Sequence, residues 1–153
     1  MKERTVDVVL HRDHRVFVFV YSRSANGPNV SAEVPKVVAS ISDAATLGAA
    51  VVDGLYESNS TVVPARNWRA DPPERALLDW LGLRTYRQFQ RGARSVSIGA
   101  SFDEAIAEVV ITPEHNVRRG GFTPISEERF SIAFESPEQL GRAVQAAMAK
   151  ATL

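Results

Sequence analysis

The 153-residue sequence contains no cysteine and no surplus of charge of either sign. Without cysteine, disulfides, thiolate metal sites and cysteine nucleophiles are excluded. The 18 basic residues are balanced by 18 acidic ones, whereas a protein whose main task is to hold duplex nucleic acid usually carries a basic surplus that neutralises phosphates. The composition therefore argues against disulfide scaffolds, thiol enzymes and general nucleic-acid binders.

Long apolar runs are also missing. No stretch of about 18 apolar residues predicts a membrane-spanning helix, and the charged start over residues 1–7 lacks the apolar core of a secretory signal peptide. Both features predict a cytoplasmic protein without a membrane partner. The length and the ordinary globular composition, with 44% apolar and 24% charged residues, predict a single domain over residues 1–153.

The local patterns predict a mixed structure of strands and helices. Strands are predicted where β-branched and aromatic residues cluster or alternate, which occurs at 5–10, 15–21, 30–34, 37–41, 95–100, 109–112, 122–125 and 130–134. Residues 104–112 fit a helix or a strand, and we predict a hairpin that turns near Asp103. Four helices are predicted to begin at residues that can cap a free backbone N–H, namely Asp43, Asp71, Thr85 and Ser136.

Runs of strands followed by helices, rather than strict alternation, indicate an α+β fold with a largely antiparallel sheet packed with helices. A Leu-Gly-x-Ala-Val motif occurs at 47–51 and again at 140–144, an offset of 93 residues that also aligns Val18 with Ile111. Either common helix residues coincide, or the chain has two similar strand-then-helix halves. We predict such halves at 5–57 and 95–150, joined by a helical segment at 71–91. Gly48 and Gly141 are then expected where a helix packs closely on the sheet.

The sequence offers no recognisable catalytic or metal site. His11-Arg12-Asp13-His14 is typical of a surface turn, and His115 is distant in sequence, whereas a zinc site requires three or four converging ligands. There is no Gly-x-Ser-x-Gly and no phosphate-binding loop. We therefore predict no catalytic residues, no bound metal, no cofactor and no enzymatic activity.

Arginines form the most notable polar pattern. Arg84, Arg87 and Arg91 recur at spacings that would align them along one helix. They are either a solvated face or a contact with phosphate or with an acidic protein patch. Together with a glycine turn that carries Arg118 and Arg119, they support one functional hypothesis, a small RNA- or nucleotide-binding protein. A hairpin turn with exposed arginines is the simpler interpretation of that turn.

Several short elements occur in the order found in a known family. They are the helix at 43–55 with its Leu-Gly pair, the segment Leu-Asp-Trp-Leu-Gly-Leu-Arg-Thr-Tyr-Arg-Gln-Phe at 78–89, and the shorter segments 92–96, 111–113, 120–122 and 136–141. In this order, from about residue 40 to the end, the chain resembles the CdiI immunity proteins of contact-dependent growth inhibition (CDI) systems. No element is a catalytic motif.

The resemblance implies a cytoplasmic protein that binds and neutralises the C-terminal toxin domain of a CdiA-type effector, commonly a nuclease. It transfers no site residues. We expect one-to-one binding, without turnover and without direct nucleic-acid contact. Because a nuclease cleft is basic, we expect acidic residues in predicted turns to contact the toxin, namely Asp103, Glu104, Glu127 and Glu128. Trp68 is the candidate apolar anchor. The basic face at Arg84, Arg87 and Arg91 is the alternative contact surface.

Overall fold

The strands form one antiparallel sheet in the computed structural model, which describes residues 1–27, 29–31 and 34–153. The predicted α+β fold is confirmed, with strands β1 (Lys2–Leu10), β2 (Val16–Arg23), β3 (Asn29–Ser31), β4 (Lys36–Val38), β5 (Arg94–Phe102), β6 (Glu108–Val117), β7 (Gly121–Pro124) and β8 (Phe130–Ala133). Their spatial order is β3-β2-β1-β5-β6-β7, with β4 also paired to β2 and β8 to β6. Ala32, part of the strand predicted at 30–34, lies outside the described residues.

The helices are α1 (Ala44–Glu57), α2 (Arg75–Leu81), α3 (Tyr86–Gln90) and α4 (Pro137–Lys150), with a 3-10 turn at Ser126–Glu128. The side chains of Asp43, Thr85 and Ser136 accept backbone N–H bonds at the starts of α1, α3 and α4, as predicted. Within the described ranges, no helix is long and apolar enough to cross a bilayer.

The predicted start of α2 is wrong. Asp71 does not cap this helix, which begins at Arg75 after Glu74, a residue without a capping side-chain bond. The backbone N–H of Asp71 donates to the Asn67 carbonyl at 2.8 Å instead. The adjacent prolines Pro72 and Pro73 separate that turn from the helix, because proline restricts its preceding residue to extended backbone.

Both faces of the sheet are covered. On the first face, a core of valine, isoleucine and leucine packs against α1 and α4 and includes Val6, Val8, Val18, Ile98 and Ile111. On the second face, α2 and α3 supply Leu77, Leu78 and Phe89, which pack on Val9, Phe17 and Phe19. Strand β2 is therefore apolar on both faces, as its sequence indicates.

The two halves share their order of elements. Strand β2 pairs with β1, β3 and β4, and β6 likewise pairs with β5, β7 and β8. The helices that end the halves cross at their glycines: a Cβ built on Gly48 would overlap the Pro137 carbonyl, and one on Gly141 would overlap the Ala44 carbonyl. These glycines therefore lie at a helix–helix crossing, and the prediction that they pack closely on the sheet is wrong. Descent of the halves from one repeated unit remains a prediction.

Candidate functional site

An open cavity of about 780 Å³ lies on the second face of the sheet. Three parts of the chain build it: the strands β1, β2 and β3, the segment that contains α2 and α3, and the turn between β6 and β7. A cavity of this size falls in the range of ligand-binding clefts. The lining side chains that matter for its chemistry are Asp7, Phe19, Tyr21, Tyr86, Arg87, Gln90, Arg118, Arg119 and Phe122.

A carboxyl group forms part of the cavity floor. Asp7 lies between Val6 and Val8, which point into the first core, so strand alternation turns Asp7 to the second face. Burial raises the pKa of Asp7 to about 7, and the charge of Glu114 adds to this shift, while hydrogen bonds from Tyr21 and Ser97 oppose it. Asp7 is therefore partly protonated near neutral pH.

Glu114, on β6, is a second buried carboxyl group. Its side chain is 7% exposed and accepts a hydrogen bond from the Ser95 hydroxyl at 2.7 Å. Burial raises the pKa of Glu114 against the effect of that bond. The charge of Glu114 thus adds to the raised pKa of Asp7, because a nearby negative charge disfavours ionisation in a poorly solvated region.

Two phenols complete the interior of the cavity. Burial raises the pKa of Tyr86 to about 12 and also raises the pKa of Tyr21, on which the charge of Asp7 acts as a second cause. Both phenols therefore keep their protons at neutral pH. Their O–H groups can donate hydrogen bonds to a partner, while the rings offer apolar contact.

Arginines form the rim. Arg87 lies on α3, and Arg118 and Arg119 lie on the turn between β6 and β7. Within the part of the chain that the structure describes, none of these three guanidinium groups forms an ion pair. Gly120 and Gly121 have φ values of 107° and 90°, which favour glycine, so the tight turn that presents the arginines depends on them.

A buried amide fastens this turn to α3. The Gln90 side chain is 4% exposed, and its Nε2 donates to the carbonyls of Val117 and Gly121, each at 2.6 Å. The same nitrogen lies 2.7 Å from Asn116 Oδ1. The rim arginines are therefore carried by elements that are held together through hydrogen bonds.

A second cavity, of about 680 Å³, adjoins the first. The two cavities share Arg87, Gln90 and Arg118. The second also includes residues from the end of α3, from β6 and from the C-terminus, namely Arg91, Gly92, His115, Asn116, Val117 and Leu153. A row of basic groups thus runs along the boundary between two adjoining openings.

The predicted single arginine stripe is wrong in its geometry. Helix α3 spans only Tyr86–Gln90, so Arg84 precedes it and Arg91 follows it. The Arg84 N–H donates to Gln88 Oε1 at 2.8 Å, and its side chain lines neither cavity. Arg87 and Arg91 do come together in the second cavity, with Arg118 from the predicted turn.

The predicted acidic contacts occupy two turns. Asp103 and Glu104 lie in the hairpin turn between β5 and β6, which confirms the hairpin, and the Asp103 carboxylate lies 3.7 Å from the N-terminal ammonium. Glu127 and Glu128 lie in the 3-10 turn, where the Glu128 carboxylate lies 3.0 Å from the Lys150 ammonium.

These two turns do not form one acidic patch. Val96 on β5 pairs with Pro113, whose carbonyl bonds to the N–H of Ile125 beside the 3-10 turn. Phe102, at the hairpin turn, lies six residues further along β5, which corresponds to about 20 Å of strand. The structure therefore separates Asp103 and Glu104 from Glu127 and Glu128.

Trp68 packs on the turn after β2 and not on a neighbouring helix. Its indole N–H donates to Asn26 Oδ1 at 3.0 Å, and the Arg66 guanidinium lies 4.3 Å from the ring centre. A Cβ on Gly27 would lie 2.9 Å from the indole nitrogen. Trp68 is half-buried and lines neither cavity.

The histidines lie apart from one another. His14 is exposed in the turn after β1, as predicted, but His11 is 6% exposed and stacks on Phe89 with ring centres 5.5 Å apart. The expectation that the whole segment is solvated is therefore wrong for His11, which α3 covers. His115 Nδ1 lies 2.6 Å from Thr152 Oγ1. Across the described ranges, no three histidine, aspartate or glutamate side chains group as metal ligands.

Sequence reasoning missed the interior of the first cavity, formed by Asp7, Tyr21, Tyr86 and the nearby Glu114. One signal was available, because Asp7 is a carboxylate in the otherwise apolar run Val6 to Val9. A charge at the centre of a buried strand needs a partner or a cavity. The position of the partners could not be deduced, since they come from distant segments.

Comparison with known proteins agrees with this fold. Among curated proteins, none matches the chain. A protein of unknown function from Neisseria meningitidis, NMB0488, has a similar structure, with a TM-score of 0.73 at 18% identity over 98% of this chain and 96% of that one. A CdiA-CT/CdiI toxin and immunity complex from Yersinia pseudotuberculosis gives a TM-score of 0.70 at 17% identity, over 99% of this chain and 98% of that one.

At these identities the similarity to solved structures demonstrates a shared fold. The family is given by the sequence itself: the model of the family CdiI, described as CDI immunity protein, matches residues 14–151. That match includes both cavities except Asp7, Val9 and Leu153. The chain belongs to the CdiI family of CDI immunity proteins.

Proposed function

We propose that this protein neutralises a CdiA C-terminal toxin domain by binding it one-to-one, without turnover. The family match over residues 14–151 carries this proposal. The shared fold with a chain from a toxin and immunity complex supports it. The toxin is a nuclease, the complex forms in the cytoplasm, and the bound immunity protein covers the toxin's active site or substrate groove.

The first cavity is the best candidate for the main contact surface. It combines an opening of about 780 Å³, exposed aromatic surface and arginines that form no ion pair with the described residues. Tyrosine and arginine are enriched among the residues that dominate binding energy in protein interfaces. Arg118, Arg119 and Tyr86 therefore contact an acidic patch of the toxin beside its basic cleft, and these contacts govern the dissociation rate of the complex.

The acidic turns act at longer range. Among the described residues, Asp103 and Glu128 form surface ion pairs, which contribute about 0–1 kcal/mol each. Glu104 and Glu127 are exposed. Their carboxylates attract the basic cleft of a nuclease and speed its association. Trp68 adds an apolar contact at the edge of the sheet.

Co-expression with the adjacent toxin domain tests the function. Cells that express the C-terminal domain of the CdiA-type effector encoded beside this gene should stop growing, and the protein should restore their growth. A toxin domain from an unrelated effector serves as the control and should not be neutralised. Growth arrest that persists despite soluble immunity protein would refute the proposal.

Association and dissociation rates separate the two kinds of contact. Charge reversal of all four acids, Asp103, Glu104, Glu127 and Glu128, should slow association by about tenfold and reduce its salt dependence. Replacing Arg118 and Arg119 together with alanine should instead speed dissociation by about tenfold or more, because interface contacts act mainly on that rate. Surface plasmon resonance measures both rates.

Arg142→Ala is the matched control for these variants. Arg142 is exposed on α4, on the opposite side of the sheet, and pairs only with Glu138 among the described residues. Its replacement should leave both rates within about twofold, since surface pairs contribute little. If the arginine pair variant leaves dissociation unchanged, the main contact surface is not the cavity rim.

A further inference from the structure

The second cavity carries an excess of basic side chains. Arg87, Arg91, Arg118 and His115 line it, and no aspartate or glutamate among the described residues does. None of the three guanidinium groups takes part in an ion pair with the residues that the structure describes. In a chain whose formal charge is zero, this is a local concentration of positive charge.

The pocket is built on a fixed support. Asn116, 9% exposed, donates from Nδ2 to the carbonyls of Gln90 and Ala93 at 2.8 and 2.9 Å. The Gln90 Nε2 lies 2.7 Å from Asn116 Oδ1. These buried amides join the end of α3 to β6, so the arginines on the two elements keep their relative positions.

The guanidinium groups in this pocket favour an anionic ligand with phosphate oxygens. A guanidinium group presents planar N–H donors that match phosphate oxygens in pairs. Three such groups together suit a ligand with about three negative charges. Apart from the His115 imidazole, the described residues that line the pocket carry no aromatic ring, so it offers little stacking surface for a flat ring. The volume of about 680 Å³ exceeds what a single phosphate requires.

We propose that this pocket binds a diphosphate group, held between Arg87, Arg91 and Arg118 with His115 as a further donor. The group can belong to free pyrophosphate or to a nucleoside diphosphate. In the second case the base would extend past Arg87 into the first cavity, where Tyr86 and Phe122 supply aromatic surface. The proposal does not rest on toxin neutralisation, although Arg118 belongs to both surfaces.

Two arginines provide a matched pair of variants. Arg91 lines only the second cavity and Arg119 only the first, and both are exposed. Isothermal titration calorimetry of the full chain with pyrophosphate should show binding that weakens with added salt. Arg91→Ala should weaken it by about tenfold or more, the loss typical of a charge-assisted hydrogen bond. Arg119→Ala should change it by less than about twofold, because that side chain does not line the pocket.

Three further probes identify the source of the group. ADP that binds more tightly than pyrophosphate assigns the site to nucleoside diphosphates, and equal affinities assign it to the free diphosphate group. Inorganic phosphate and sulfate should bind at least about tenfold more weakly, since they engage fewer guanidinium groups. If they bind as tightly as pyrophosphate, the pocket holds an adventitious ion only and the proposal is overturned.

Absence of pyrophosphate binding at about 5 mM would also overturn it, since that corresponds to less than about 3 kcal/mol of binding free energy. The proposal would likewise be overturned if Arg91→Ala and Arg119→Ala reduced the affinity for pyrophosphate equally. Arg91→Lys, which keeps the charge but not the planar fork, guards against a folding artefact and should recover part of the affinity. The growth assay with Arg91→Ala reports toxin neutralisation independently, so failure of one proposal is distinguishable from failure of the other.

Discussion

Replacing Gly48 with alanine is expected to destabilise the protein by about 3 kcal/mol. In the interior of an exposed helix, a glycine-to-alanine change instead stabilises the helix by about 1 kcal/mol. The added methyl group would overlap the backbone carbonyl of Pro137. A backbone group cannot rotate away as a side chain can, so α1 and α4 must separate. Separation would loosen the packing of Leu47, Val51 and Leu140, which are fully buried. Urea or thermal unfolding measures the loss, which corresponds to roughly 10 °C in Tm for a chain of this size.

Gly54→Ala is the control in the same helix. Its added Cβ would meet the methyl groups of Val6 and Val20 at 3.0 and 3.1 Å, and these side chains can adjust. The expected change in stability is within about 1 kcal/mol of zero, because the gain in helix propensity offsets the crowding. A Gly48→Ala variant as stable as Gly54→Ala would contradict the close crossing.

Gly141→Ala provides a second check of the crossing. Its Cβ would overlap the Ala44 carbonyl, so it should destabilise the fold about as much as Gly48→Ala. Since both changes force the same separation of the helices, the double variant should lose clearly less than the sum of the two single losses.

Asp7→Asn is expected to stabilise the protein above about pH 7, by roughly 2–4 kcal/mol. The pKa of Asp7 is raised from 3.8 to about 7 in the folded protein. Between these values the folded state holds a proton that the unfolded chain has released. The free energy of unfolding therefore falls as pH rises through this window, and asparagine removes the effect because it cannot ionise.

Urea unfolding of both proteins from about pH 4 to pH 8 measures this difference, which should grow with pH and become constant above about pH 7. Asp53→Asn is the control, since Asp53 is exposed on α1. Its effect on stability should be small at each pH. A difference between Asp7→Asn and the unmodified protein that does not change with pH would show that the Asp7 carboxyl is not buried as described.

Local signals in the sequence predict the elements of the fold well. Asp43, Thr85 and Ser136 cap helices as expected because a cap depends on residues within one turn. Asp71 fails because Pro72 and Pro73 separate it from the helix, which begins at Arg75. The glycines at 48 and 141 indicate close packing, but the element against which they pack depends on contacts between residues about 90 positions apart.

The candidate site depends on such distant contacts to a greater extent. Arg87 and Arg118 are visible in the sequence as exposed basic residues, yet their meeting at one boundary requires the Gln90 amide to join α3 to the β6–β7 turn. Asp7 joins the same region through β1, at the other end of the chain. Sequence patterns with periods of two or 3.6 residues carry no information about such pairings.

The central pair of the sheet also determines when the protein can fold during synthesis. Lys2 pairs with Phe102 and Leu10 with Arg94, so β1 cannot complete its pairing until β5 has left the ribosome. Before that point, the nascent chain can form the β1–β2 hairpin, but β1 presents an unpaired apolar edge that is prone to association with other chains. The large sequence separation also slows folding, because a long loop must close before these contacts form. The central pairing of the sheet can therefore be completed only after Phe102 has been translated.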